Sequence, residues 1–116
     1  PAPGVHGLSN GDLDDPWRKT MALKQPLAAW LTSDDEDVSP LWQALADETQ
    51  APDDYLPDTG VGIELERMLS PAFIRGDRYG TRASTLIAID HAGHGWTSER
   101  RFGPEGVFEG ETTLRI

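Results

Sequence analysis

One run of residues, 79–90, constrains the fold of this chain more than any other. Apolar and β-branched residues fill both alternation phases of its second half, as in a strand that is covered on both faces. The run therefore predicts a central strand of a sheet. It begins with the polar residues Tyr79, Gly80, Thr81 and Arg82, and polar groups at a strand end suit a ligand site.

A helix is predicted well ahead of this strand, starting at Pro16, where a missing N–H costs little. Asp14 or Asp15 is predicted to cap it. Pro26 lies inside its apolar pattern and removes a backbone donor, so we expect a kink, or two helices that meet near Lys24.

The other predicted elements follow from periodicity and turn residues. In chain order they are a strand end with a turn at 5–11, helices at 39–49 and 63–70, a short strand at 72–75, a hairpin connection at 91–95, and strands at 96–102 and 111–116. A helical segment of about 12–70 and antiparallel strands of about 72–116 predict one α+β domain.

Composition excludes several classes of function. The 116 residues carry a formal charge of −10, which would repel a nucleic-acid backbone. There is no cysteine, and therefore no thiolate metal site and no cysteine nucleophile. No apolar run approaches the roughly 20 residues needed to span a bilayer, so we expect a soluble, cytoplasmic protein. The opening at Pro1 indicates a fragment or a processed product.

Asn10 and Arg82 are the strongest candidates for ligand contacts. An asparagine amide can stabilise a developing oxyanion, and a guanidinium suits a carboxylate or a phosphate. The alternatives are that Asn10 only shapes a turn and that Arg82 only pairs with an acid. Glu99 is interpreted as part of a cross-strand charge pair, or else as the group that orients Arg82.

Two further groups invite a metal interpretation. His91 and His94 lie in the glycine-rich hairpin, where two ligands on one flexible loop rarely complete a site. A calcium loop has a glycine at its bend and a glutamate at a fixed spacing, and the acidic run at 33–37 has neither. We interpret both as solvated loops and expect no metal.

Several motifs together resemble the Transport and Golgi organization family, also called the NRDE family. The resemblance extends from Gly4 to Ile116 and rests on the following stretches: Val5-His6-Gly7-Leu8-Ser9-Asn10, Pro16-Trp17-Arg18-Lys19, Leu69-Ser70, Tyr79-Gly80-Thr81-Arg82-Ala83-Ser84-Thr85 and Thr97-Ser98-Glu99-Arg100. It implies the C-terminal half of an Ntn-hydrolase-like αββα sandwich, with helices packed on antiparallel sheet.

Family members begin with Met-Cys and carry an Asn-Arg-Asp-Glu motif early in the chain, and neither is present here. The resemblance thus implies an upstream half as a partner, with any catalytic nucleophile in that half and no catalytic residue in this chain.

The resemblance also implies that the complete protein binds a small hydrophobic or amphipathic ligand, haem or an acyl compound, for trafficking or homeostasis. Asn10, Arg82 and Tyr79 are expected to contact it in a cleft between the sheets, and His6 is the candidate axial ligand of a haem. The alternative is an amidohydrolase with an upstream cysteine.

Overall fold

The computed structural model describes all 116 residues and divides into two compact units, Pro1–Phe73 and Ile74–Ile116. The first unit contains the three α-helices, α1 (Arg18–Thr32), α2 (Ser39–Leu45) and α3 (Ile63–Leu69), and a 3-10 turn at Asp53–Tyr55. The second contains three strands, β1 (Ala83–Ile89), β2 (Gly95–Phe102) and β3 (Phe108–Arg115). This separation of helices from antiparallel strands confirms the α+β class.

Helix α1 begins later than predicted. Its N-cap is Trp17, which makes no side-chain capping bond, so the prediction of an aspartate cap before Pro16 is wrong. Both carboxylates serve the preceding turn instead. Asp14 accepts a bond from the backbone N–H of Gly7 at 2.8 Å, and Asp15 accepts one from the N–H of Asp12 at 2.9 Å.

The alternative of two helices that meet near Lys24 is wrong, because α1 runs through Pro26 as one element of 15 residues. Proline removes one helical donor, and the packing of α1 against α2, whose Trp42 is buried, favours the continuous helix. Helix α2 ends at Leu45, four residues before the predicted end, whereas α3 closely matches its predicted range.

Two predicted strands in the first unit and at its end are wrong. Residues 5–11 and 72–75 form bends and irregular chain instead. At the second position Phe73 is only 4% exposed, and its N–H donates to the carbonyl oxygen of Asp47 at 2.9 Å. An apolar side chain is buried here through tertiary packing, without a β ladder.

The sheet of the second unit has the order β1-β2-β3, with both pairs antiparallel. The predicted hairpin and the two returning strands are confirmed. The hairpin is closed by the N–H of Asp90, which donates to the carbonyl of His94 at 2.7 Å. A 3-10 turn at Pro104–Gly106 joins β2 to β3.

The prediction that residues 79–90 form a central strand is wrong for this sheet. Regular pairing begins only at Ala83, and β1 lies at an edge, with β2 in the middle. Burial alternates along β1, so that Ser84 is buried while Ile87 and Ile89 are exposed. The run is apolar on both faces, yet only one of them is covered within this sheet.

None of the helices is long and apolar enough to cross a membrane.

Candidate functional site

Helix α1 presents one face to a cavity of about 350 Å³ in the first unit. Side chains three and four residues apart in a helix share a face, which is why this set lines one wall. The wall consists of Lys19, Thr20, Leu23, Lys24 and Leu27. The remaining lining residues come from the N-terminal segment and from the end of the unit: His6, Gly7, Leu8, Ser9 and Ala72.

The cavity combines an apolar wall with positive charge. Leu8, Leu23 and Leu27 supply the apolar surface. Both lysines of the sequence, Lys19 and Lys24, line the same space, although the chain as a whole is strongly acidic. A cavity of this size and composition suits a small molecule that has an apolar part and an anionic group.

Lys24 belongs to a polar cluster at the edge of this cavity. Its ammonium lies 3.4 Å from Asp14 Oδ1, and Nδ1 of His6 lies 2.7 Å from Asp14 Oδ2. The other ring nitrogen of His6, Nε2, lies 2.6 Å from the carbonyl oxygen of Ala2. A protonated imidazole can donate to both oxygens at once, so this geometry favours the cation.

The two partners shift each other's pKa in opposite directions. The hydrogen bond to Asp14, followed by that to Ala2, raises the pKa of His6 above 6.5. The bond from His6, followed by that from the Gly7 N–H, lowers the pKa of Asp14 from 3.8 to about 2. Both side chains are partly exposed, so solvent and salt weaken the pair.

We expect Asp14→Asn to return the pKa of His6 towards 6.5, because the carboxylate is the main cause of the shift. The stabilisation that His6 contributes is complete below pH 6.5 and is lost as pH rises through the raised pKa of the folded state. The stabilisation that Asp14 contributes is complete above pH 3.8 and is lost as pH falls towards about 2. The variant should therefore lose most stability between pH 3.8 and 6.5.

Imidazole proton resonances followed by NMR through a pH titration measure this directly. Asparagine tolerates the left-handed backbone of Asp14, whose φ is 64°. Asp15→Asn is the matched control, since Asp15 bonds Asp12 rather than His6. An unchanged His6 pKa in Asp14→Asn would refute the assignment.

Lys19 stands in a drier environment than Lys24. Its ammonium donates to the carbonyl oxygen of Leu69 at 3.1 Å and lies 6.0 Å from the centre of the Trp17 ring. Burial lowers the pKa of Lys19, and the charge of Glu66 opposes that shift only in part. A lysine with a lowered pKa beside a cavity is a candidate functional group.

Lys19 also borders two neighbouring cavities, of about 260 Å³ and about 50 Å³. Arg18 and Ser70 line both of these. Beside the smaller one, the buried carboxylate of Glu66 accepts bonds from the N–H and the hydroxyl of Thr59, at 3.1 and 2.5 Å. One oxygen of the Glu66 carboxylate, Oε1, is thus engaged by the chain itself.

The predicted ligand contacts fall in both units. In the first, His6 lines the 350 Å³ cavity and Asn10 lines the 50 Å³ cavity. In the second, Arg82 donates to the carbonyl of Gly103 at 3.1 Å, and Tyr79 is exposed. Their roles as ligand contacts stay predictions.

The remaining candidates have simple structural partners. Asp90 Oδ1 accepts bonds from the N–H groups of Ala92 and His94, both at 2.9 Å, which shapes the hairpin. Glu99 lies 3.7 Å from Arg101 on its own strand. No group of three or more histidine, aspartate or glutamate side chains is arranged to hold a metal ion.

Residue-by-residue reasoning did not select the two lysines as site residues. A signal was present, since Lys19 ends the Pro16-Trp17-Arg18-Lys19 motif and lies five residues before Lys24 on a helix whose apolar residues recur at helical spacing. The sequence alone did not show that the N-terminal segment lies beside α1 and forms the other wall of the cavity.

Fold and cavity together define this chain as an α+β protein whose helical unit carries a small, open cavity with an apolar wall and two lysines. Comparison with known proteins gives the family. The model of the Transport and Golgi organisation 2 family matches residues 1–104, and the chain belongs to that family.

Three curated relatives carry the same family name. The human Transport and Golgi organization protein 2 homolog is 36% identical over 119 residues, which cover 95% of this chain and 43% of the human protein. The bovine homolog is 34% identical over 122 residues, which cover 97% of this chain and 44% of the bovine protein. The mouse Transport and Golgi organization 2 homolog is 31% identical over 108 residues, which cover 84% of this chain and 38% of the mouse protein. The chain thus spans less than half the length of these relatives.

Proposed function

We propose that the protein binds a small amphipathic acyl compound with an anionic group, and that the 350 Å³ cavity holds it. The single observation that carries this proposal is that Leu23 and Leu27 share one cavity with Lys19 and Lys24. Burial of an acyl chain against the leucines provides the hydrophobic stabilisation, and a lysine offsets the cost of desolvating the anionic end.

Haem fits this site less well than an acyl compound. An axial histidine needs one ring nitrogen with a free lone pair. Both nitrogens of His6 have oxygen partners, Asp14 at 2.7 Å and Ala2 at 2.6 Å. Ligation of iron would require the Ala2 contact to open, so we place His6 in the site as a polar wall residue.

For the complete protein we propose an Ntn-hydrolase-like αββα sandwich, in which an upstream half supplies strands of a second sheet. Support comes from the uncovered face of the three-stranded sheet, on which Ile87, Ile89 and Leu114 expose large apolar side chains. Stacked sheets bury such a face. Asn10, Arg82 and Tyr79 are proposed as further ligand contacts. A structure of the complete protein whose second sheet leaves this face uncovered would refute the arrangement.

Octanoate is a suitable probe of the cavity, with octanol as its uncharged analogue. We expect octanoate to bind more tightly than octanol, and Leu23→Asp to weaken octanoate binding by about tenfold or more, which corresponds to about 1.4 kcal/mol. The reason is that the added carboxylate repels the anion and removes apolar wall. Isothermal titration calorimetry measures both affinities.

Leu31→Asp is the matched control, because Leu31 lies on the same helix, is exposed and does not line the cavity. Leu23→Ala keeps the test interpretable if Leu23→Asp unfolds. Equal weakening by Leu23→Asp and Leu31→Asp would contradict the proposal. Release of octanoate from N-octanoyl amides, lost on removal of an upstream cysteine, would instead favour the amidohydrolase alternative.

A further inference from the structure

Lys19 occupies a position in the first unit that simple ligand binding does not explain. It forms part of the wall of all three cavities, of about 350, 260 and 50 Å³. Its ammonium donates to the carbonyl oxygen of Leu69 at 3.1 Å and lies 6.0 Å from the centre of the Trp17 ring, and both of these residues line the 50 Å³ cavity. The Lys19 side chain also borders the 350 Å³ cavity, beside the apolar surface of Leu23 and Leu27.

The two lysines that share the 350 Å³ cavity differ in what surrounds them. Lys24 forms an ion pair with the Asp14 carboxylate at 3.4 Å. The Lys19 ammonium contacts a neutral carbonyl instead, and the charge of Glu66, whose Oε1 accepts two bonds from Thr59, opposes the effect of burial only in part. Burial lowers the pKa of Lys19, so a larger share of its amine is neutral and nucleophilic.

We propose that Lys19 is an acyl acceptor, modified at Nζ by short-chain or medium-chain acyl thioesters that bind in the 350 Å³ cavity. This inference rests on the proposed function for the way in which the acyl chain is held. The structure supplies an apolar wall for the chain, a lysine whose side chain lines the same cavity, and a hydrogen bond that holds its amine.

The chemistry of the step is a simple acyl transfer. The lone pair of the neutral Nζ attacks the thioester carbonyl carbon and forms a C–N bond. The C–S bond breaks, the sulfur leaves with the electron pair, and the proton released from nitrogen ends on the thiolate. The products are an amide on Lys19 and a free thiol, so no oxidant, reductant or metal is needed.

Acylation changes the cavity in two ways. The amide nitrogen carries no charge, so the cavity loses one of its two lysine cations. The attached chain also lies against Leu23 and Leu27, where a free acyl ligand would bind. A modified protein should therefore bind octanoate more weakly than the unmodified one, which makes the reaction self-limiting.

Peptide mass spectrometry after incubation with the octanoyl thioester of N-acetylcysteamine tests the proposal. The chain contains only two lysines, so each protein molecule carries its own control. We expect Lys19 to be acylated faster than Lys24, because burial lowers the pKa of the Lys19 amine. Labelling of Lys24 at an equal or higher rate would overturn the proposal.

Two further arms separate this inference from the proposed function. Excess octanoate should slow the labelling of Lys19, and the acetyl thioester, which lacks the chain, should label it more slowly than the octanoyl thioester. If octanoate binds but Lys19 stays unlabelled, acyl transfer is refuted and ligand binding stands. If Lys19 is labelled equally fast by both thioesters and octanoate does not compete, the cavity does not hold the chain and the proposal fails with it. Lys19→Arg, which keeps the charge, should remove the label from this peptide.

Discussion

Replacement of Phe73 by alanine should lower the free energy of unfolding by about 3–5 kcal/mol, the usual cost of removing a buried phenylalanine ring. Phe73 is 4% exposed, the lowest value among the buried apolar side chains of the chain. The substitution removes the ring from closely packed surroundings and leaves a cavity behind. The backbone bond from its N–H to Asp47 remains, so the loss measures side-chain packing.

Phe108→Ala provides the matched control, since the same atoms are removed from a side chain that is 59% exposed. Phe108 makes an edge contact with Phe102, at 6.1 Å between ring centres, so we expect a loss of about 1 kcal/mol. Urea denaturation followed by circular dichroism and by tryptophan fluorescence measures both variants. Losses of equal size would show that Phe73 does not anchor the first unit.

The sequence predicted elements best where the pattern was local. Helix α3, strands β2 and β3 and the hairpin between β1 and β2 all follow from periodicity over a few residues and from turn residues. The aspartate cap failed for a physical reason. Asp14 and Asp15 could accept bonds from the N–H groups of the helix or from those of the preceding turn, and they accept them from the turn.

Strand position was harder to predict because it depends on what covers each face. The run of β1 is apolar on both faces, which is the usual pattern of a strand covered on both sides, and the pattern does not show that β1 lies at an edge of the sheet. In this sheet the side of Ser84 is covered, while the side of Ile87 is not. The strand predicted at 72–75 is absent for a similar reason, since Phe73 is buried although it belongs to no β ladder.

The candidate site was predicted only in outline. His6 was selected and does line the 350 Å³ cavity, whereas Lys19 and Lys24 were not selected as site residues. A lysine on a helix is usually solvated, and nothing local distinguishes one that is half-buried. The distinction arises when the carbonyl of Leu69, 50 residues later, comes within 3.1 Å of Lys19.

The stretch Tyr79-Gly80-Thr81-Arg82 has a structural role that the binding interpretation had not included. The N–H of Thr81 donates to the carbonyl of Ile74 at 2.8 Å, and the Thr81 hydroxyl accepts a bond from the N–H of Ile74 at 3.0 Å. These two bonds close a loop that leads into β1. The same residues that were expected to meet a ligand therefore also fix the start of the sheet.

Gly76→Ala should disrupt this loop and cost about 1–3 kcal/mol, the typical cost of inserting atoms where there is no space. A Cβ at Gly76 would lie 2.2 Å from the carbonyl oxygen of Tyr79, and backbone cannot rotate away as a side chain does. The carbonyl of Gly76 also accepts a bond from the N–H of Glu105 at 2.9 Å, so a shift would reach the turn between β2 and β3.

Gly103→Ala in the same unit is the control for this substitution. Its added Cβ would meet only the carboxylate end of Glu109, at 2.9 Å, which can turn aside, so we expect a change within about 0.5 kcal/mol. Urea denaturation gives the stabilities, and hydrogen exchange of the β1 and β3 amides shows whether the sheet loosens. If Gly76→Ala is as stable as Gly103→Ala, the loop tolerates displacement. The geometry of the strand entry then does not explain why a glycine and a threonine precede Arg82. If the loss appears as expected, a variant at Arg82 that weakens ligand binding should be interpreted only after its stability shows an intact loop, because the loop closed by Thr81 leads directly into Arg82.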